Sequence, residues 1–133
     1  MTLSKFSRYA LHAALEMARA GDRPVTVAQV AGPLGIPPTA LAKVFQQLVR
    51  AGLAVGTRGI GGGYRLARPR TDITVLDVVA VFEPLRPLGR DLLHARAEGP
   101  ALPRTAPLQR LFDEVDEVVR ATLGSVTLDT LAR

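Results

Sequence analysis

Residues 26–66 read TVAQVAGPLGIPPTALAKVFQQLVRAGLAVGTRGIGGGYRL. Thr26 and Gln29 stand in the T-x-x-Q spacing of a capping box, where each side chain satisfies an N–H that the first helical turn leaves unpaired. Val27, Val30, Ala31 and Leu34 follow at helical spacing and predict a short helix with that face buried. Pro33 lacks an N–H, so it shortens or distorts the end, and Gly35 permits a turn. Pro37 and Pro38 suit the first turn of a second helix. Leu41, Val44, Phe45, Leu48 and Val49 form its apolar stripe, while Thr39, Lys43, Gln46, Gln47 and Arg50 lie largely off it. Gly52 falls where a glycine ends a helix. A short helix, a tight turn and a second amphipathic helix make a helix-turn-helix.

The period then changes from that of a helix to that of a strand. Leu53, Val55 and Thr57 alternate, RGIGGG intervenes, and Tyr64, Leu66 and Arg68 resume the alternation. This predicts a two-stranded hairpin with a glycine-rich tip. A helix-turn-helix followed by a hairpin is a winged helix, in which the second helix enters the major groove of DNA and the hairpin tip reaches backbone or minor groove. The glycine run admits other readings. It lacks the Lys-Ser/Thr of a P-loop and opens no helix in a βαβ unit, which argues against a nucleotide-binding loop. Arg58 before the tip and Arg65 after it fit a wing in which glycines allow close approach to phosphate. A plain hairpin with solvated arginines remains the simpler alternative for this segment alone.

Working outward, residues 3–19 place Phe6, Tyr9, Ala10, Ala13, Ala14, Met17 and Ala18 on one helical face, with Ser4 as N-cap and Gly21 as the stop. Residues 74–83 repeat the capping logic, with Thr74 and Asp77 in T-x-x-D spacing and Pro84 ending the helix. Five of the ten prolines fall in residues 84–107, which predict a linker or ordered loop with a short helix at Arg90–Arg96. Residues 108–123 form the clearest helix. Leu108, Leu111, Phe112, Val115, Val118, Val119 and Thr122 make a stripe that needs a partner, and a second copy of the chain is the expected one. The alternative is that the stripe folds back on its own domain. The tail SVTLDTLAR predicts a short turn or helix. The expected organisation is a winged-helix domain over 1–83, a proline-rich linker over 84–107, and a dimerisation helix with its tail over 108–133.

Charge divides along the same lines. Residues 1–70 hold ten Lys/Arg against two Asp/Glu, a net of +8, whereas residues 71–133 hold seven Arg against ten Asp/Glu, a net of −3. A basic half suggests a polyanionic partner. The 133 residues fit one domain, or one domain with an oligomerisation arm. Without cysteine there is no disulfide and no thiolate for zinc, an iron–sulfur cluster or redox chemistry. No apolar run of about 18 residues predicts a membrane span, and no signal-peptide pattern opens the chain, so a cytoplasmic protein is expected.

These residues carry a family resemblance. The stretches LSKFSRYALHAALEMA and VTVAQVAGPLGIPPTALAKVFQQLVRAGLAVGTRGIGGGYRLARP resemble the first helix, helix-turn-helix and wing of the Rrf-two family of bacterial winged-helix transcription regulators. Arg58-Gly59 followed by Gly61-Gly62-Gly63-Tyr64-Arg65-Leu66-Ala67 is the most specific part, and Ile73–Val79 resembles the family's next helix. The resemblance covers residues 2–83 strongly and 108–131 by pattern. It implies a mainly α fold with a small β-hairpin, a homodimer paired through the long C-terminal helix, and a roughly palindromic operator in double-stranded DNA. By position it puts Thr39, Ala40 and Lys43 at the base-facing start of the recognition helix, and Arg58 and Gly59 at the minor groove. Tyr64 and Arg65 complete the candidate DNA contacts, with Gln46, Gln47 and Arg50 as weaker ones, since such polar positions are often only solvated. The family often has Ser and Tyr where this chain has Thr39 and Ala40, so the operator sequence does not carry over. Cluster-binding relatives have three cysteines in the segment matching 84–107, and this chain has none. His94 and His12 are far apart in sequence and make no metal site, so no cofactor and no metal is expected. A small-molecule or protein effector for the 84–107 segment stays open.

Three functions follow: a sequence-specific regulator, expected to be a repressor; a winged-helix module that binds a protein through the same surface; and an enzyme. The last has no paired-carboxylate motif, Ser-His-Asp set or cysteine nucleophile to support it.

Overall fold

The computed structural model describes residues 3–83 and 106–133. The predicted linker and the short helix at 90–96, with His94, lie outside them, except that Ala106 and Pro107 belong to the following helix.

Helix α1 (Lys5–Ala20) is the hub. Its Ala10, Ala13, Ala14, Met17 and Ala18 are almost wholly buried, and these mostly small side chains let neighbouring helices approach closely. Helix α2 (Val27–Leu34) starts on the expected capping box, with Gln29 N–H donating to Thr26 Oγ1 at 3.1 Å and Thr26 N–H donating to Gln29 Oε1 at 2.9 Å. Leu34, expected in the buried face, is 43% exposed, and Ile36 beyond the turn takes the inward place. Helix α3 (Pro38–Arg50) buries Leu41, Val44, Phe45 and Leu48 and stops on Gly52 in the left-handed region. There Leu53 N–H reaches Leu48 O and Gly52 N–H reaches Val49 O, the paired bonds of a Schellman cap.

Strands β1 (Ala54–Thr57) and β2 (Gly63–Leu66) pair antiparallel, Ala54 opposite Leu66 and Thr57 opposite Gly63. Val25 extends this hairpin. Its N–H and C=O bond the backbone of Tyr64 at 2.8 Å each, so the wing is stitched to the residue just before the N-cap of α2. A 3₁₀ turn at Arg70–Asp72 leads into α4 (Val75–Phe82), which opens on the second capping box, Thr74 with Asp77.

Helix α5 (Ala106–Ser125) has no buried residue and packs against α4. The chain then returns. Val75 N–H bonds Val126 O, and Leu128 N–H bonds Ile73 O, both at 2.9 Å. The one-turn helix α6 (Leu128–Ala132) lies against α1, with Leu128 fully buried in the same core as Leu41 and Phe45. Asp129 clasps it there, paired with Arg70 at 2.8 Å and Arg133 at 2.9 Å. These partners, the Arg133 hydrogen bond first, hold its carboxyl below the usual range. The tail, grouped by sequence with the C-terminal arm, therefore packs as part of the winged-helix core.

At the opposite end, Glu83 Oε1 accepts from Ser4 N–H at 2.6 Å and from the buried Ser7 hydroxyl at 2.8 Å. The Ser4 backbone bond, then the Ser7 bond, hold the Glu83 carboxyl below its ordinary value. A depressed folded-state pKa means stability that is present above the unfolded value and disappears as pH falls through the folded one. Glu83→Gln is therefore expected to cost about 0.5–1 kcal/mol at pH 7, discounted for exposure. The difference from the parent chain should begin to narrow as pH falls through the ordinary carboxylate range and close only below it, under the lowered folded-state value. Urea titrations at neutral pH and below that lowered value check this, and an equal gap at both would contradict it.

Candidate nucleic-acid interface

Helix α3 shows two faces. At 100° per residue, Leu41, Val44, Phe45 and Leu48 fall on one side, while Thr39, Lys43, Gln46, Gln47 and Arg50 fall together on the other. All five of the latter are exposed, and Ala40 at the edge of this arc is half-buried. Tertiary burial of the stripe aims the polar arc outward.

The structure divides the candidate residues into groups. Gln46 and Arg50 share a groove with Arg58, Gly56, Thr57, Gly63 and Tyr64, so helix and wing form its two walls. Lys43 and Gln47 line a separate cleft against Phe6 of α1 and Val81 and Phe82 of α4. Thr39 stands at the start of α3, where Pro37 offers no side-chain cap. Arg65 is exposed, and strand alternation puts it on the opposite face of the hairpin from Tyr64. Tyr64 itself is half-buried, its ring stacked on Phe45 at 4.5 Å between centroids and 14° between planes. Through that stacking Tyr64 fixes the wing against α3.

Val49, expected in the buried stripe, is 37% exposed and lines the α3–wing groove. It sits at the margin of the stripe, where a three-to-four periodicity cannot tell inward from outward.

The glycine run has a different basis from the one its composition suggests. At Gly63, φ is +146°, and an added Cβ would stand 2.5 Å from the Val25 carbonyl oxygen. At Gly62 it would collide with the Thr57 carbonyl. Both glycines are needed by the wing's own backbone, before any phosphate is considered.

Electrostatics favours an anion. Among the described residues, Lys43, Arg50, Arg58 and Arg65 form no salt bridge, whereas Arg19, Arg68, Arg70 and Arg133 each face a carboxylate. Among the described residues these cations of α3 and the wing thus have no ion-pair partner, although Arg50 borders the same cavity as Asp77.

An exposed polar helix beside a braced, glycine-tipped hairpin defines a winged-helix DNA-binding protein. Residues 3–133 match the family described as "Rrf2: Iron-dependent Transcriptional regulator", and the chain belongs to that family of transcriptional regulators. It is 37% identical over 133 residues to the "Putative HTH-type transcriptional regulator BadM" of Rhodopseudomonas palustris, covering all of this chain and 82% of that one. Among solved structures, it is similar to CymR, the global cysteine regulator of B. subtilis, at 29% identity and TM-score 0.77, with 99% of this chain and 96% of that one covered. It is also similar to T. potens IscR at 26% identity and TM-score 0.79, over 98% and 85% of the two chains. The family, BadM and CymR are all named as regulators, and this chain is a transcriptional regulator rather than an enzyme.

The family description names iron, and the donor set of this chain does not fit a thiolate-held centre. The sequence has no cysteine, and among the described residues no three His, Asp or Glu side chains gather where a metal could be held. Among the described residues no helix is long and apolar enough to cross a membrane.

Proposed function

We propose that the chain acts as a homodimer that reads an inverted-repeat operator and represses transcription by occupying it. The carrying observation is the exposed polar arc of α3 beside a braced wing, with Arg50 and Arg58 lining one groove and neither ion-paired among the described residues. In this reading Thr39, Ala40 and Lys43 meet base edges, Gln46, Gln47 and Arg50 border them, and Arg58 with Gly59 approaches the minor groove. Arg65 contributes charge from the outer face of the wing.

Dimerisation is supported by α5. Leu108, Leu111, Val115 and Val118 are 39–64% exposed and lie with exposed Thr122 along one side, while Phe112, Val119 and Leu123 are half-buried along the neighbouring side. An apolar stripe of four turns left in water is costly, and a second copy meeting it across a two-fold axis covers both stripes at once.

Lys43→Ala and Arg58→Ala test the contact assignment in mobility-shift titrations. Each is expected to weaken operator binding by about 5- to 100-fold, with Lys43→Ala relaxing preference among operator variants and Arg58→Ala weakening all of them alike. Full affinity in both variants would contradict the assignment. No duplex binding by the parent chain would favour a protein partner on the same surface.

A further inference from the structure

Ile60 is the most exposed large apolar residue among those described, at 110% of its reference area, and it stands at the apex of the wing. Gly59 and Gly61 flank it with φ of +98° and +76°, and Gly62 N–H donates to Gly59 O at 3.0 Å. The four residues thus close a tight turn with Ile60 at its second position. The positive φ at the third is the pattern of a type II turn. At the back of the turn the Thr57 carbonyl leaves no room for a side chain at Gly62. A β-branched residue is a poor local choice here, since Gly, Pro, Asn, Asp and Ser are the residues that stabilise turns. A local rule broken at the tip of a functional hairpin points to a contact outside the chain.

We propose that Ile60 is an apolar wedge that the wing carries into the minor groove, where it opens a base step and bends the duplex. The inference rests on the DNA-reading function above and deepens it. Bare glycines on both sides keep the tip narrow enough for a groove about 6 Å wide. Arg58, unpaired with any carboxylate among the described residues, brings charge to the same place, where groove potential is most negative. Wedges of this kind unstack pyrimidine–purine steps most easily, so the operator should carry TA or CA/TG where each wing lands.

The test uses the full chain and the duplex it enriches from a random pool, labelled at both ends for energy transfer. The parent chain is expected to shorten the end-to-end distance. Ile60→Ser should abolish most of that bend, weaken binding about tenfold, and lose the preference at the wedged step. Its melting temperature should not move, because Ile60 is fully exposed. Its dependence of affinity on salt should also stay unchanged, because no phosphate contact is removed, whereas Arg58→Ala should lower that slope by about one. Ile60→Leu should restore the bend. An Ile60→Ser chain that binds and bends like the parent overturns the wedge while leaving the DNA reading intact. A parent chain that enriches and binds no duplex overturns both.

Discussion

A chain carrying Leu111→Asp and Val118→Asp is expected to sediment as a monomer and to bind the operator about 100-fold or more weakly than the parent. The two side chains are 52% and 64% exposed, away from the half-buried side of α5, so the protomer fold should survive the change. In the proposed dimer the change would replace the apolar contact between copies with four like charges around a two-fold axis. Each half-site is then read separately. Tethering two reading heads raises apparent affinity by about 10²–10⁴ over one head, and the loss should fall in that range. Sedimentation velocity with an anisotropy titration measures both effects. A double variant that remains dimeric and binds normally would place the interface elsewhere.

The second large effect is expected at Leu128→Ala, which should cost about 2–5 kcal/mol of folding stability. Leu128 is fully buried against α1, although it lies five residues before the end of the chain. Small domains have only about 5–15 kcal/mol in total, so the loss would be visible in a urea melt. It should also loosen the backbone bonds from Val126 and Leu128 to the start of α4, which tie α5 to the DNA-reading domain. A loss under about 1 kcal/mol would mean that the tail only rests on the surface.

That tail also marks where the sequence stops being legible. A helix of five residues is too short to show a period, and its place depends on a bridge between Thr74 and Thr127, fifty-three positions apart. The Glu83 link to Ser4 and Ser7 is hidden for the same reason, since its partners lie at opposite ends of the winged-helix domain. Local signals carry further. The capping boxes at Thr26–Gln29 and Thr74–Asp77 both form with reciprocal bonds, and Gly52 ends α3 as its position implies. The polar arc of α3 is legible because burying one face of a helix dictates the other. Tyr64 and Val49 are not sorted by such signals. Stacking on Phe45 and exposure at a groove wall are decided by tertiary neighbours that periodicity does not see.

Whether the chain is a dimeric reader of DNA sequence is decided by selection from a random duplex pool at about 150 mM salt, near physiological ionic strength. Two recognition helices related by a two-fold axis should enrich an inverted repeat whose half-sites are separated by about one helical turn, ~34 Å, or a multiple of it. Enrichment of a single unpaired site, or binding that appears only at low salt with no sequence preferred, would contradict it.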